Sequence, residues 1–126
     1  MAEAGWTLVS AEERARKYAD TFHIPDAKAR ASLQYGDAAR LLFDIETRQG
    51  GRVADVGVDR MWVVVLRIDD DGYWGVLDND PGTAEGLNLN FGDVLCFSDE
   101  HICEVARPPE GYVSEKYGEA YFKGSG

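Results

Sequence analysis

Residues 61–68 read MWVVVLRI, residues 69–72 read DDDG and residues 73–77 read YWGVL. The first stretch is rich in β-branched and aromatic residues, which favour strands, and it is shorter than a typical helix. An Asp-Gly pair between two such stretches is a signal for a β-hairpin turn. The sequence therefore predicts an antiparallel hairpin here, and this hairpin decides the fold class.

Further strands are predicted on both sides of the hairpin, at residues 6–9, 39–45, 94–97 and 101–105. Residues 47–58 are polar and contain two adjacent glycines, which predicts a mobile loop. Short strands joined by tight turns are typical of a small sheet that curls closed, because an open edge invites aggregation.

Two short helices are predicted before the long strands. Ser10 is followed three residues later by Glu13, which is the pattern of a capping box and predicts a helix over residues 11–21. Residues 26–33 follow a proline and are rich in helix-favouring residues, which predicts a second helix. A last short helix is predicted near the C-terminus, with Ser114 as its cap.

These elements together predict an α+β domain. It contains a small, strongly bent antiparallel sheet or an SH3-like β-barrel, with one or two N-terminal helices. The chain has 126 residues, a common size for one domain. We predict a single domain over residues 1–122, with a helical part at 11–33, a β core at 37–106 and a C-terminal extension at 107–122. Residues 123–126 are predicted to be a disordered tail or a cloning remnant.

The chain is strongly acidic, with 13 Lys and Arg against 23 Asp and Glu and a formal net charge of −10. Such a surface repels phosphate backbones, so we expect no nucleic-acid partner. It attracts a basic partner, although surplus acid also keeps cytoplasmic proteins dispersed. No apolar run approaches the ~18 residues of a membrane span, and we recognise no signal peptide. We therefore expect a cytoplasmic protein that is a monomer or a weak homodimer and does not bind membranes.

Several motifs occur in an order that resembles an uncharacterised family of small bacterial all-β domains. The motifs are a Trp-Val strand at 61–63, a Gly-x-Leu-x-Asn-x-Pro turn at 75–81, a Gly-Asp-led strand at 91–94, an isoleucine at 102, and the upstream segments 24–25 and 35–43. Members of this family are similar to the immunity proteins that bacteria keep beside secreted toxins. The resemblance implies a non-catalytic domain that neutralises a basic, toxin-like protein, and it supplies no catalytic residues.

Acidic turns beside an aromatic residue predict where a protein partner would bind. Carboxylates steer a basic partner, and an aromatic side chain supplies an anchor that loses its water on binding. The predicted contact residues are Asp69, Asp70, Asp71, Trp74, Asp78, Asn79, Asp80, Asp99 and Glu100. The alternative interpretation is that Asp and Asn occur in turns because they bond their own backbone. Trp62 is predicted to pack in the core, whereas Gly75 would allow another backbone to come close.

Catalytic and metal chemistry has weaker support in the sequence. Cys96, His101 and Cys103 lie close together, but they lack the paired short spacings of zinc sites. Cys96 lies in an apolar stretch and is predicted to be a buried, inert thiol. No Gly-rich phosphate motif occurs, and the acidic turns lack the twelfth-position glutamate of an EF-hand. We predict a non-catalytic protein-binding domain without cofactor or metal. The alternatives are a small-molecule-binding or minor enzymatic β-barrel that uses His101 and Asp78, and a structural module of a larger assembly.

Overall fold

The computed structural model describes residues 5–50, 52–79, 81, 87–109 and 111–117. The strands are β1 (Trp6–Leu8), β2 (Ala38–Gln49), β3 (Arg52–Asp69), β4 (Gly72–Leu77), β5 (Val94–Phe97) and β6 (Ile102–Ala106). The helices are α1 (Ala11–Lys17), α2 (Ala27–Arg30) and α3 (Tyr112–Tyr117), with a 3₁₀ helix at Asp99–His101 between β5 and β6.

The strands form one antiparallel sheet with β2 at its centre. β3 pairs with one edge of β2, whereas β6 and β1 share the other edge, β6 opposite residues 38–41 and β1 opposite residues 43–45. β4 pairs with β3, and β5 pairs with β4. Because β5 leads through the 3₁₀ helix to β6 on the far side of β2, the sheet curls strongly into a half-barrel. The predicted α+β class, with a small bent sheet and short N-terminal helices, is confirmed.

The main core lies inside the curl and is built from alternate residues of the strands. Leu41 and Phe43 of β2 and Val63 and Val65 of β3 are fully buried in it. The opposite face of β3 is also apolar, and it forms a second cluster with Val76 of β4 and Tyr112 of α3. Trp62 is half-buried against this second cluster, so it packs outside the main core.

The cap predicted for the first helix is present, but both N-terminal helices are shorter than predicted. Ser10 Oγ accepts a hydrogen bond from the Glu13 N–H at 3.2 Å, which confirms the first cap. Asp26 caps α2 in the same way, at 2.8 Å from the Ala29 nitrogen. The predicted helix near the C-terminus begins at Tyr112, so Ser114 lies within it and is not its cap.

The predicted loop over residues 47–58 is wrong. β2 and β3 stay paired out to Gln49 opposite Arg52, with a register shift between Thr47 and Arg48. These residues form paired strands because their backbone groups bond to each other. Such pairing does not require alternating apolar residues, so the sequence pattern did not reveal it. Gly50 adopts a φ of +61°, which favours glycine, at the end of this hairpin arm.

Gly75 is buried where β3 carries a β-bulge. Val65 lies opposite Gly75, but the next pair is Arg67 with Trp74, so Leu66 is the extra residue. A Cβ atom on Gly75 would lie 2.8 Å from the carbonyl oxygen of Val64 and would also collide with Val63. The space that we expected for a partner's backbone is therefore filled by β3 of the same chain.

Gly75→Ala should lower the free energy of unfolding by about 1–3 kcal/mol, because the added methyl group overpacks a closed site. Urea denaturation measures this difference. Gly57→Ala is the matched control, since a Cβ there meets no atom within 4 Å. Equal stability of the two variants would contradict the close approach of β3 to β4.

Candidate functional site

The structure divides the predicted contact residues between the two ends of β4. Asp69, Asp70 and Asp71 come just before this strand, and Asp78 and Asn79 come just after it. Asp71 and Asp78, the nearest members of the two groups, are seven residues apart, or about 23 Å along an extended strand at ~3.3 Å per residue. Asp80 lies outside the described residues. Asp99 and Glu100 lie on the 3₁₀ helix, near the first group.

The side chains of the second group, Asp78 and Asn79, bond to other residues of the same chain. Asp78 accepts a hydrogen bond from the Tyr112 hydroxyl at 2.7 Å and forms an ion pair with Lys116 at 2.6 Å. These contacts raise the pKa of Lys116, with the hydrogen bond to Asp78 as the largest cause. Asn79 Oδ1 accepts a hydrogen bond from the Trp62 backbone N–H. Asp78 and Asn79 therefore fasten α3 and β3 to the end of β4.

The first group lines a groove between the β3–β4 turn and the 3₁₀ helix. The larger part of the groove has a volume of about 380 Å³, and its lining includes Asp69, Asp71, Trp74, Cys96, Ser98 and His101. An adjoining part of about 200 Å³ is lined by residues that include Ile68, Asp70 and Asp99. We call the two parts together the acidic groove. No Lys or Arg of the described chain lines it, so the charged side chains of its lining are carboxylates, although the exposed Arg67 pairs with Trp74 across β3 and β4.

Two apolar side chains stand beside the acidic turn. Trp74 is on the outer face of β4 and is 39% exposed, and Ile68 at the end of β3 is 52% exposed. The indole N–H of Trp74 donates a hydrogen bond to Asp69 Oδ2 at 2.9 Å, which fixes the ring against the turn. Ile68 pairs with Tyr73 and therefore lies on the opposite face of the sheet from Trp74, so each part of the groove has one exposed apolar side chain beside its carboxylates.

Arg30 of α2 fixes the position of the 3₁₀ helix through its hydrogen bonds. Its guanidinium group is buried and pairs with Glu12 of α1 at 2.6 Å. The same group donates hydrogen bonds to the carbonyl oxygens of Asp99 and Pro25, each at 2.9 Å. Sequence analysis missed this residue, because an arginine in a short polar helix is usually exposed and no local pattern marks it as buried.

Tyr73 connects the inner side of the acidic groove to α2. Its hydroxyl group donates to the carbonyl oxygen of Arg30 at 2.8 Å and accepts from the Leu33 N–H at 3.3 Å. Its ring stacks on Phe97, with the ring centres 5.3 Å apart. Burial raises the pKa of Tyr73, so the hydroxyl group remains a donor at neutral pH. β4, β5 and α2 are thereby joined beneath the groove.

His101 ends the 3₁₀ helix and lines the acidic groove. Its Nδ1 accepts a hydrogen bond from the Ser98 N–H at 3.1 Å, so the proton of the neutral ring is assigned to Nε2. Burial lowers the pKa of His101 below its ordinary value of 6.5, although Glu100 and Asp99 act in the opposite direction. The ring is therefore neutral at pH 7. Asp78, its partner in the enzymatic alternative, lies at the other end of β4 and is paired with Lys116.

The two thiols lie in different environments. Cys103 is buried, donates to the carbonyl oxygen of Arg40 at 3.2 Å, and has its pKa raised by burial. The prediction that Cys96 is buried is wrong: it is exposed on the outer face of β5, opposite Trp74. Leu95 and Phe97 point inward and turn Cys96 outward. Within the described parts of the chain, no group of three or more His, Cys, Asp or Glu side chains is arranged to hold a metal ion.

Comparisons with protein-family models, curated proteins and solved structures gave no match for this chain. The described residues contain no helix that is both long and apolar enough to cross a membrane.

Proposed function

We propose that this chain is a non-catalytic protein-binding domain that holds a basic partner on the acidic groove. The observation that carries the proposal is the combination of one-sided charge and exposed apolar surface. Carboxylates from the β3–β4 turn and from the 3₁₀ helix line the groove, no described Lys or Arg does so, and Trp74 and Ile68 stand exposed beside it.

Charge and apolar surface contribute to different steps of binding. A net charge of −10 attracts a basic partner over a distance and raises the association rate. Each rim carboxylate adds a modest amount of affinity, about 0.6 kcal/mol at low salt, and less as salt screens it. The side chains that lose their water on contact supply most of the binding energy, and Trp is enriched among such anchors.

The specific form of the proposal is an immunity protein that neutralises a basic bacterial toxin. The resemblance of the Trp-Val strand and of the turn over residues 75–81 to small bacterial domains supports it. Residues 61–63 lie in β3 and residues 75–77 lie in β4, the two strands whose connecting turn carries Asp69, Asp70 and Asp71. A bound toxin would contact this turn and the 3₁₀ helix together.

Chemical-shift mapping with a synthetic oligoarginine peptide tests the acidic groove as the binding surface. We expect the largest shifts at the Trp74 indole and at the backbone amides of Cys96 and Ser98. Asp20 and Asp59, which are exposed elsewhere, should shift little. Shifts spread evenly over the exposed carboxylates would indicate attraction to net charge and would contradict a defined surface.

Trp74→Ala should weaken peptide binding about fivefold, because the variant loses an aromatic contact at the interface. Its free energy of unfolding should fall by about 1–2 kcal/mol, because Trp74 is only 39% exposed and its indole N–H bonds to Asp69, and the variant should still fold. Isothermal titration calorimetry and urea denaturation measure the two quantities. Tyr18→Ala is the matched control, because Tyr18 is 47% exposed and lies outside the groove. If Trp74→Ala binds the peptide as tightly as the wild type, Trp74 is not part of the binding surface.

A further inference from the structure

Two hydrogen bonds between His101 and Ser98 close the turn of the 3₁₀ helix. The Ser98 N–H donates to His101 Nδ1 at 3.1 Å, and the His101 N–H donates to the Ser98 carbonyl oxygen at 3.1 Å. The imidazole is 21% exposed and lines the acidic groove. A titratable ring therefore forms part of both the helix and the groove.

The hydrogen bond from Ser98 requires an unprotonated Nδ1. In the imidazolium form both ring nitrogens are donors, so the Ser98 N–H loses its acceptor and faces another N–H group. Ser98 Oγ lies 3.4 Å from Nδ1 and is an acceptor to which the protonated ring can turn. Protonation therefore moves the ring relative to the Ser98 backbone.

We propose that His101 is a pH-sensitive latch of the 3₁₀ helix: uptake of a proton releases the Ser98 backbone from the ring and weakens the hold of the acidic groove on a basic partner. The second half of this inference rests on the proposed function. Two changes act together, since the helix that carries Asp99 and Glu100 is loosened and the groove gains a positive charge.

The charged groups around His101 come from every neighbouring element. Asp99 and Glu100 lie on the same helix, with Glu100 Oε1 3.6 Å from Nε2. Asp69 and Asp71 line the same groove from the β3–β4 turn, and the Cys96 thiol lines it from β5. The ion pair of Arg30 with Glu12 joins α2 and α1 beneath the helix, and Arg30 also bonds to the Asp99 carbonyl oxygen.

The direction of the pH effect follows from the competition between burial and these carboxylates. Burial is the largest cause and places the pKa of folded His101 below 6.5, whereas Asp99 and Glu100 oppose it. The unfolded chain therefore binds this proton more readily than the folded chain. The neutral His101 ring contributes fully to the stability of the folded chain above pH 6.5. This contribution is lost as the pH falls through the lower pKa of His101 in the folded state. A basic partner should lower this pKa further, because the coupling is reciprocal.

An NMR titration of the isotope-labelled protein from about pH 8 to about pH 5 tests the latch without a partner. The chain has two histidines, so the ring signals of His101 can be assigned with a His23→Gln variant. We expect the His101 ring to titrate below pH 6.5 and the Ser98 amide to shift with the same midpoint. A Ser98 amide that stays unchanged while His101 titrates would overturn the inference.

Calorimetric titration with the oligoarginine peptide at both ends of this pH range tests the effect on binding. We expect the affinity to fall about threefold to tenfold at the acidic end. His101→Gln should bind the peptide with the same affinity at both pH values. His23→Gln, whose side chain is exposed elsewhere, should show the same fall in affinity as the wild type. If the peptide does not bind the wild type at either pH, this result counts against the proposed function. The NMR titration of the Ser98 amide then tests the His101 latch by itself. Equal affinity at both pH values would overturn the coupling alone.

Discussion

Arg30→Ala is expected to lower the free energy of unfolding by about 3 kcal/mol, one of the largest effects of a single substitution in this chain. Breaking a buried ion pair costs about 3–5 kcal/mol, because the remaining charge is left without its partner. Glu12 is 33% exposed, which reduces this cost toward the lower end. The variant also leaves the carbonyl oxygens of Asp99 and Pro25 without their donor.

Urea denaturation of Arg30→Ala beside Arg16→Ala measures the effect. Arg16 lies on α1 and is exposed, so its replacement should change the stability by less than about 0.5 kcal/mol. A double variant, Glu12→Leu with Arg30→Met, should recover part of the loss, because apolar residues can replace a buried ion pair. Stability of Arg30→Ala equal to that of Arg16→Ala would contradict the role of Arg30 beneath the 3₁₀ helix.

The core of the sheet could be predicted from the sequence because its signals are local. β4 follows an Asp-Gly pair and is aromatic and β-branched, and β5 is a short apolar run, so each is recognisable by itself. The arm formed by residues 47–58 has no such signal. Its strands are fixed by pairing with each other, and the polar sequence is indistinguishable from that of a loop.

The candidate site was only partly predictable, because it joins segments far apart in the chain. Asp69, Asp70, Asp71 and Trp74 are neighbours in sequence, so their proximity follows from one turn. The pairing of Asp78 with Lys116 spans 38 residues, and no local pattern reveals it. The exposure of Cys96 is a different case, since the alternation of residues 95–97 along a strand predicts it once the inward face is known.

Reversing two charges on the β3–β4 turn should weaken binding of the oligoarginine peptide by about 50-fold at low salt. In water, a unit charge about 7 Å from another contributes roughly 0.6 kcal/mol. Asp70→Lys with Asp71→Lys changes the charge by four units, or about 2.4 kcal/mol in total. Both carboxylates are exposed, so the fold should tolerate the change. Calorimetry at two salt concentrations measures the effect.

The matched control is Asp20→Lys with Asp59→Lys, which gives the same change in net charge on exposed residues away from the groove. At low salt we expect this control to lose far less affinity than the Asp70 and Asp71 variant. Near 0.1 M salt the screening length is about 10 Å, so distant charges lose their influence while those touching the peptide keep part of theirs. Adding salt should therefore reduce the loss in both variants, and the control should reach wild-type affinity while the Asp70 and Asp71 variant still binds more weakly. If both variants weaken binding equally at both salt concentrations, the peptide responds to total charge and the acidic groove is not its binding surface.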